Sequence, residues 1–114
     1  MQLKEIIEKL QLKVLSGEGN LDSQVIAGYT SDILSDVMAK TRKGFLWITN
    51  QNHQNVIAIV FFKDLAGVII AGGCWPDEDT LQKAREKRIP VLLSSKTAYE
   101  VSGELYGLGI PGSA

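Results

Sequence analysis

The chain has 114 residues and a net charge of −1, with 12 basic and 13 acidic side chains interspersed along it. This length suits one domain with a single hydrophobic core, and the mixed charges exclude a basic stripe for nucleic acid or an acidic tail. The single cysteine cannot form an internal disulfide, and no signal peptide or membrane-spanning run of about 20 apolar residues is recognisable. These features predict one cytoplasmic domain with no nucleic-acid or membrane partner.

Helix and strand patterns alternate along the chain. Apolar residues recur at the spacing of one helical face or in short β-branched runs, and turn-forming residues separate them. The predicted elements, in order, are a helix at 3–10, strands at 12–15 and 21–27, a helix at 33–43, a strand at 45–49, a helix at 53–65, a strand at 68–71, a helix at 77–88, a strand at 89–93 and a helix at 98–106. Ser31 or Asp32 is expected to cap the second helix. Thr97 opens the last helix with a capping box, and residues 111–114 are predicted to form a disordered tail.

Residues 56–62 are apolar on every side, so their composition permits either a strand or a helix. We predict a helix at 53–65, because two adjacent strands joined by the polar segment 49–55 would leave no crossover for a parallel sheet. A helix that is apolar all round must be buried against more than a sheet, and a chain of this size offers little second layer. The helix is therefore predicted to contribute to a homodimer interface.

The alternation of strands and helices predicts an α/β domain with a mainly parallel sheet of about five strands and helices on both faces. Parallel strands end at the same edge of a sheet, so the turns that follow them meet there, and open α/β sheets bind ligands at that edge. These turns are polar and lead into helix N-termini, which suits a small polar or anionic ligand. The candidate ligand-binding residues in the turns are Gly28, Tyr29, Ser31, Asp32, Thr49, His53, Gln54, Gly72, Gly73, Asp77, Ser94 and Thr97.

Three sequence blocks together resemble the DRTGG domain family. They are GYTSDILSDVM at 28–38, LWIT at 46–49 followed by HQN at 53–55, and IIAGG at 69–73 followed by PDE at 76–78. This family is similar to the N-terminal domain of HPr kinase, occurs beside nucleotide-binding CBS domains and is found in some bacterial phosphotransacetylases. The resemblance extends from Val14 to Leu108 and implies a regulatory or ligand-sensing module, which is expected to stand alone here.

Two positions depart from the family pattern. Ser23 stands where the pattern has an arginine, and Ala71 stands where it has a threonine before the glycine pair. The loss of a cation and of a hydroxyl weakens the expectation for any ligand that those groups would hold. The resemblance identifies no cofactor for this chain.

His53 and two aspartates are the titratable candidates. His53 is the sole histidine and can carry a proton near neutral pH, although capping of a helix explains it as well. Asp32 and Asp36 lie four residues apart on one helix face, where they could hold a cation or share a proton. Capping by Asp32 and solvent exposure of Asp36 is the competing interpretation. Asp36 joins the candidate ligand-binding residues because it belongs to the first matching block.

The turn after the strand 68–71 offers three further candidates. Gly72 and Gly73 could receive a phosphate on their backbone amides, or simply form a tight turn. Cys74 precedes a helix start, which would stabilise a thiolate, but a structural thiol is the simpler interpretation. Trp75 could stack on a base or pack over the sheet edge.

Several signatures of enzymes are absent from the sequence. There is no phosphate loop with the pattern Gly-x-x-x-x-Gly-Lys-Ser/Thr, no Cys/His cluster with metal-ligand spacing and no nucleophile elbow. These absences favour a non-catalytic module that binds a small polar or anionic ligand, with a nucleotide among the candidates. The alternative is a protein-interaction or assembly factor that works through the apolar helix and has no small-molecule ligand. Weak catalysis that depends on His53 stays open.

Overall fold

A five-stranded sheet with five α-helices around it is seen in the computed structural model, which describes all 114 residues. In chain order the elements are α1 (Leu3–Leu10), β1 (Lys13–Ser16), β2 (Ala27–Thr30), α2 (Leu34–Lys40), β3 (Phe45–Thr49), α3 (Gln54–Lys63), β4 (Gly67–Ile70), α4 (Glu78–Lys87), β5 (Val91–Leu93) and α5 (Ala98–Gly107). The strand order is β1-β5-β4-β3-β2. Strands β2 to β5 are parallel and β1 pairs antiparallel with β5, which confirms the predicted α/β class and the mainly parallel sheet.

Side chains of the central strands alternate between the two faces of the sheet, as the two-residue period of a strand requires. On β3, Phe45 and Trp47 join a cluster that α2, α3 and α4 cover, whereas Leu46 and Ile48 join a cluster that α1 and α5 cover. All four side chains are buried. Burial on both faces explains why β3 and β4 are apolar throughout, and the helices on both faces agree with the prediction.

The second strand is where the sequence prediction is wrong. The predicted strand ends at Ala27, whereas β2 begins there and pairs with β3 as far as Thr30. Gly28 and Tyr29 therefore lie inside the strand and not in the turn after it. Glycine suits position 28 because α5 packs closely against β2, so that a Cβ would lie 2.7 Å from Cδ2 of Leu105. Tertiary packing here overrides the low strand propensity of glycine.

The apolar segment at 56–62 lies in a helix, α3, as predicted. Its inner side is buried, but Phe61 is 57% exposed and Phe62 is 74% exposed. These two side chains line a groove of about 490 Å³ between α2, α3 and α4, together with Met38, Ala58, Lys83 and Lys87. The phenylalanines and Met38 form an exposed apolar face, and burial of this face by a second copy stays a prediction.

The C-terminal residues lie against the free edge of β2. Ile110 is buried, and the carbonyl oxygen of Pro111 accepts a hydrogen bond of 2.8 Å from the backbone amide of Gly28. The tail predicted at 111–114 is thus attached to the sheet at its first residue. None of the helices is both long and apolar enough to cross a membrane.

Gly17 and Gly19 lie in one loop and provide a matched test of the fold. Gly17 has a φ of 77°, and a Cβ there would lie 2.4 Å from the backbone nitrogen of Pro90, whereas a Cβ at Gly19 would meet no atom within 4 Å. We expect Gly17→Ala to lower the free energy of unfolding by about 2–4 kcal/mol, because it adds left-handed strain and a backbone clash. Urea denaturation measures this. Equal stability of Gly17→Ala and the control Gly19→Ala would contradict the structure of this loop.

Candidate functional site

The four parallel strands end at one edge of the sheet, which we call the carboxyl edge. The turns there follow β2, β3, β4 and β5 at 31–33, 50–53, 71–77 and 94–97. Helices α2, α3, α4 and α5 begin directly after these four turns. Each turn places backbone and side-chain polar groups at the same end of the domain.

Asp32 joins the first turn to the second. Its Oδ1 accepts hydrogen bonds from the hydroxyl of Thr49, at 2.6 Å, and from the backbone amide of Asn50, at 2.8 Å. The side-chain amide of Gln51 donates to the carbonyl oxygen of Asp32 at 3.2 Å. The prediction that Asp32 caps α2 is therefore wrong, because its carboxylate accepts from Thr49 and Asn50 across the sheet edge instead. Ile33 is the N-cap residue and makes no side-chain capping bond.

Ser31 is also occupied by structural hydrogen bonds. Its Oγ accepts from the backbone amide of Ile33 at 3.1 Å, and its carbonyl oxygen accepts from the indole of Trp47 at 2.8 Å. Trp47 is fully buried, and a buried indole N–H needs such an acceptor. This bond attaches the first turn to the core of the sheet.

The glycine pair joins the third turn to the fourth. Gly72 and Gly73 have φ values of 72° and 68°, which glycine adopts without a steric cost. Their backbone amides donate to the carbonyl oxygens of Lys96 and Ser94, at 2.7 and 2.8 Å. Both amides are therefore already bonded. Of the two interpretations of this glycine pair, the structure favours the tight turn over the phosphate-binding amides.

Asn52 joins the second turn to the third, and sequence analysis did not identify it. Its side-chain amide donates to the carbonyl oxygen of Trp75 at 3.1 Å. The backbone carbonyl oxygen of Asn52 accepts from the backbone amide of Asp77 at 3.3 Å and from the hydroxyl of Thr80 at 2.9 Å. The polar composition of 49–55 was a signal for a turn, but only the tertiary arrangement shows which amide makes the connection.

His53 and Asp77 are the N-cap residues of α3 and α4, and they lie side by side at the carboxyl edge. The distance between His53 Nδ1 and Asp77 Oδ2 is 3.5 Å, and both side chains are exposed. Neither side chain bonds to the first turn of its helix. Both helix N-termini therefore lack a side-chain cap next to this pair, and the first turn of α3 has no acidic residue whereas that of α4 contains Glu78 and Asp79.

Tyr29 lies in β2 and Asp36 in the first turn of α2, outside the turns of the carboxyl edge. The hydroxyl of Tyr29 donates to Asp36 Oδ2 at 2.7 Å, and Lys40 Nζ lies 3.7 Å from the other carboxylate oxygen. The hydrogen bond from Tyr29, assisted by Ser31 and Lys40, lowers the pKa of Asp36. The same bond raises the pKa of the Tyr29 hydroxyl. This pair fastens β2 to α2.

The structure thus gathers ten of the thirteen predicted site residues in or next to the turns of the carboxyl edge, while Gly28 and Tyr29 lie in β2 and Asp36 lies in the first turn of α2. Thr97 caps α5 in the expected box, since its Oγ1 accepts from the backbone amide of Glu100 at 3.2 Å. The ten are Ser31, Asp32, Thr49, His53, Gln54, Gly72, Gly73, Asp77, Ser94 and Thr97. Asp32 and Asp36 have separate partners, and no group of three or more His, Cys, Asp or Glu side chains could hold a metal ion. Ligand binding by these residues stays a prediction.

The family model of the DRTGG domain matches residues 5–108. Among curated proteins, the HPr kinase/phosphorylase of Streptococcus pneumoniae strain ATCC 700669 / Spain 23F-1 is 27% identical over 119 residues, and that of strain Hungary19A-6 is 28% identical over the same length. In both comparisons the match covers 90% of this chain and 38% of the relative. The chain therefore corresponds to well under half the length of these relatives.

A solved structure of 14% sequence identity has the same fold, with a TM-score of 0.75 over 91% of this chain and 45% of the other. It contains the CBS and DRTGG domains of the regulatory region of Clostridium perfringens pyrophosphatase, complexed with the activator diadenosine tetraphosphate. The family model also matches this chain over most of its length. The fold of the chain is therefore that of the family. The chain belongs to the DRTGG domain family.

Removal of the Asp32 carboxylate is expected to loosen the first two turns. Asp32→Ala leaves the Thr49 hydroxyl and the Asn50 amide without their acceptor, so we expect a loss of about 1–2 kcal/mol in the free energy of unfolding. Chemical denaturation tests this. The control Asp22→Ala removes only an exposed ion pair with Lys4 and is expected to change stability by less than about 0.5 kcal/mol. Equal effects of the two variants would be evidence against the Asp32 connection.

Tyr29→Phe is expected to raise the pKa of Asp36 toward its ordinary value, because the variant lacks the hydroxyl that makes the largest contribution. A carboxyl with a lowered pKa in the folded state stabilises the fold above its unfolded pKa, and this stabilisation is lost as the pH falls through the folded pKa. The variant should therefore lose less stability upon acidification. Carboxyl-carbon NMR titration measures the pKa directly, and an unchanged value for Asp36 would contradict this assignment.

Proposed function

We propose that this member of the DRTGG domain family is a non-catalytic regulatory module that binds a small polar or anionic ligand at its carboxyl edge, with a nucleotide as the first candidate. The observation that supports this most is the chain of hydrogen bonds that joins the four turns. Asp32 connects the first two turns, Asn52 the second and third, and Gly72 and Gly73 the third and fourth. The edge is therefore held in shape before any ligand arrives, which lowers the entropic cost of binding.

The groups left open at this edge suit a polar or anionic ligand. The N-termini of α3 and α4 lack side-chain caps, and their N-cap residues His53 and Asp77 are exposed. Lys13 also lies at this edge, because β1 runs antiparallel to β5 and pairs Lys13 with Leu93. A ligand could thus meet helix N-termini, an imidazole and an ammonium group together.

The solved relative supports a regulatory function and a nucleotide ligand. Its regulatory region of CBS and DRTGG domains is complexed with the activator diadenosine tetraphosphate, and this chain covers 45% of that structure. Catalysis is not proposed for this chain; the ionic contact of His53 is with the Asp77 carboxylate, at 3.5 Å. The exposed free thiol of Cys74 suits the reducing cytoplasm, which we propose as the location.

The exposed apolar face supports an additional proposal, that two copies of the chain form a homodimer. Phe61 and Phe62 are more than half exposed on α3, and the groove that they line carries six apolar side chains. Large exposed apolar patches mark sites of association. If no ligand bound at the carboxyl edge, the same face would support the alternative function, that of a protein-interaction or assembly factor.

Thermal-shift measurements with adenine nucleotides and other phosphorylated metabolites test ligand binding. A ligand present at about 100 times its Kd should stabilise the fold by about 2.7 kcal/mol, which raises the Tm by several degrees. Asp77→Asn removes a negative charge beside the two helix N-termini and should strengthen binding of an anion by about threefold to tenfold. Asp22→Asn, at a distant exposed site, should leave affinity unchanged. No stabilisation of the wild-type protein by any compound would overturn the proposal.

Substitution of Phe62 tests the homodimer. Phe62→Glu places a charge on the exposed apolar face and is expected to give a monomer at micromolar concentration, whereas the wild-type protein is expected to sediment as a dimer. Tyr106→Glu is the matched control, because Tyr106 is a similarly exposed aromatic residue on α5, on the opposite face of the sheet. Sedimentation velocity distinguishes the species. A wild-type monomer, or dissociation caused equally by Tyr106→Glu, would count against this interface.

A further inference from the structure

The side chains of Trp75 and Lys13 lie together at the carboxyl edge, and we call this pair the corner. Neither side chain takes part in the hydrogen bonds that join the turns. Trp75 lies in the turn after β4 and is 52% exposed, whereas Trp47, the other tryptophan, is fully buried. The Nζ atom of Lys13 lies 5.0 Å from the centroid of the Trp75 ring. Lys13 takes part in none of the six ion pairs of the chain, while Lys96 at the same edge is paired with Glu104. The corner therefore combines an accessible indole with an unpaired ammonium group.

The backbone around Trp75 is fixed although its ring is exposed. The side-chain amide of Asn52 donates to the carbonyl oxygen of Trp75, and the backbone carbonyl oxygen of Asn52 accepts from the backbone amide of Asp77. Pro76, between them, is buried and has a restricted φ. Upstream, Gly72 and Gly73 are bonded to the turn after β5. The indole is thus presented by a segment that is held at both ends, so little order has to be gained when a ligand stacks on it.

The two side chains together define a ligand chemistry. An exposed indole ring accepts a planar aromatic group by stacking, and this contact tolerates any base because every base has a π-face. An ammonium group without a carboxylate partner attracts an anion. Because 52% of Trp75 remains accessible with Lys13 in place, the ring retains area for a second planar group. The combination favours an aromatic group that carries a nearby negative charge.

We propose that Trp75 and Lys13 recognise a nucleoside phosphate, with the base stacked on Trp75 and the phosphate beside Lys13. The inference rests on the proposed function, because the corner belongs to the same edge, and it names the ligand class for that site. The sequence already offered Trp75 as a residue that could stack on a base, whereas Lys13 was not among the candidates. Lys13 reaches the edge only because β1 is antiparallel to its neighbour.

Calorimetric titrations with AMP, adenosine and pyrophosphate test the two contacts separately. Trp75→Ala should weaken AMP binding about tenfold and leave pyrophosphate unaffected, whereas Trp75→Phe, which keeps an aromatic face, should stay within about threefold of the wild-type affinity. Lys13→Gln should weaken AMP and pyrophosphate several-fold and leave adenosine unchanged. The control Tyr106→Ala removes an exposed aromatic ring on α5 and should change none of these affinities.

Intrinsic fluorescence adds a readout that does not depend on affinity. AMP should quench the emission of exposed Trp75 in the wild-type protein, and Trp75→Phe should bind AMP with the emission of buried Trp47 unchanged. If AMP binds Trp75→Ala as tightly as it binds the wild-type protein, the corner is not the recognition site, while the proposed function stands. If the wild-type protein binds neither AMP nor pyrophosphate, the inference and the nucleotide form of the proposed function both fail.

Discussion

The parallel pairing of β2, β3, β4 and β5 is the constraint on which the rest of the structure depends. It brings four turns that are far apart in the sequence to one edge of the sheet. Burial of both sheet faces fixes the register, since a shift by one residue would move each side chain of β3 and β4 into the cluster on the opposite face and disrupt the packing of both clusters. A polar edge on an apolar sheet is the direct result, and every group proposed to bind a ligand lies on it.

The turns at this edge use many of their polar groups on one another. Asp32, Asn52 and the glycine pair are occupied by structural hydrogen bonds, which makes them positioning residues and leaves contact with a ligand to exposed side chains. His53 and Asp77 are such side chains, and each begins a helix that extends toward the groove lined by Phe61 and Lys83. A ligand that alters the spacing of these two helix starts would therefore act on the elements that carry the exposed apolar face. This arrangement is suited to a module that reports ligand occupancy to a partner.

Local sequence patterns predicted the fold class, four of the five strands and the helical nature of α3, because apolar periodicity and turn residues act over short distances. They failed where long-range packing decides. Gly28 lies in β2 because α5 packs against it, and Asp32 turns from the expected helix cap to Thr49 across the edge. The same applies to the site: a turn composition indicates where polar groups gather, but the partner of each amide follows from tertiary structure. Asn52 and Lys13 were missed for this reason.

The carboxyl edge is the surface that we propose for ligand binding by this domain. The most direct measurement is a map of backbone amide chemical shifts in isotopically labelled protein during titration with AMP. We expect concentration-dependent shifts in the turns at 31–33, 50–53, 71–77 and 94–97 and at Lys13, with the loop at 17–20 on the opposite edge unchanged. Shifts confined to that opposite loop or to the exposed apolar face, or no shifts at saturating AMP, would contradict this proposal.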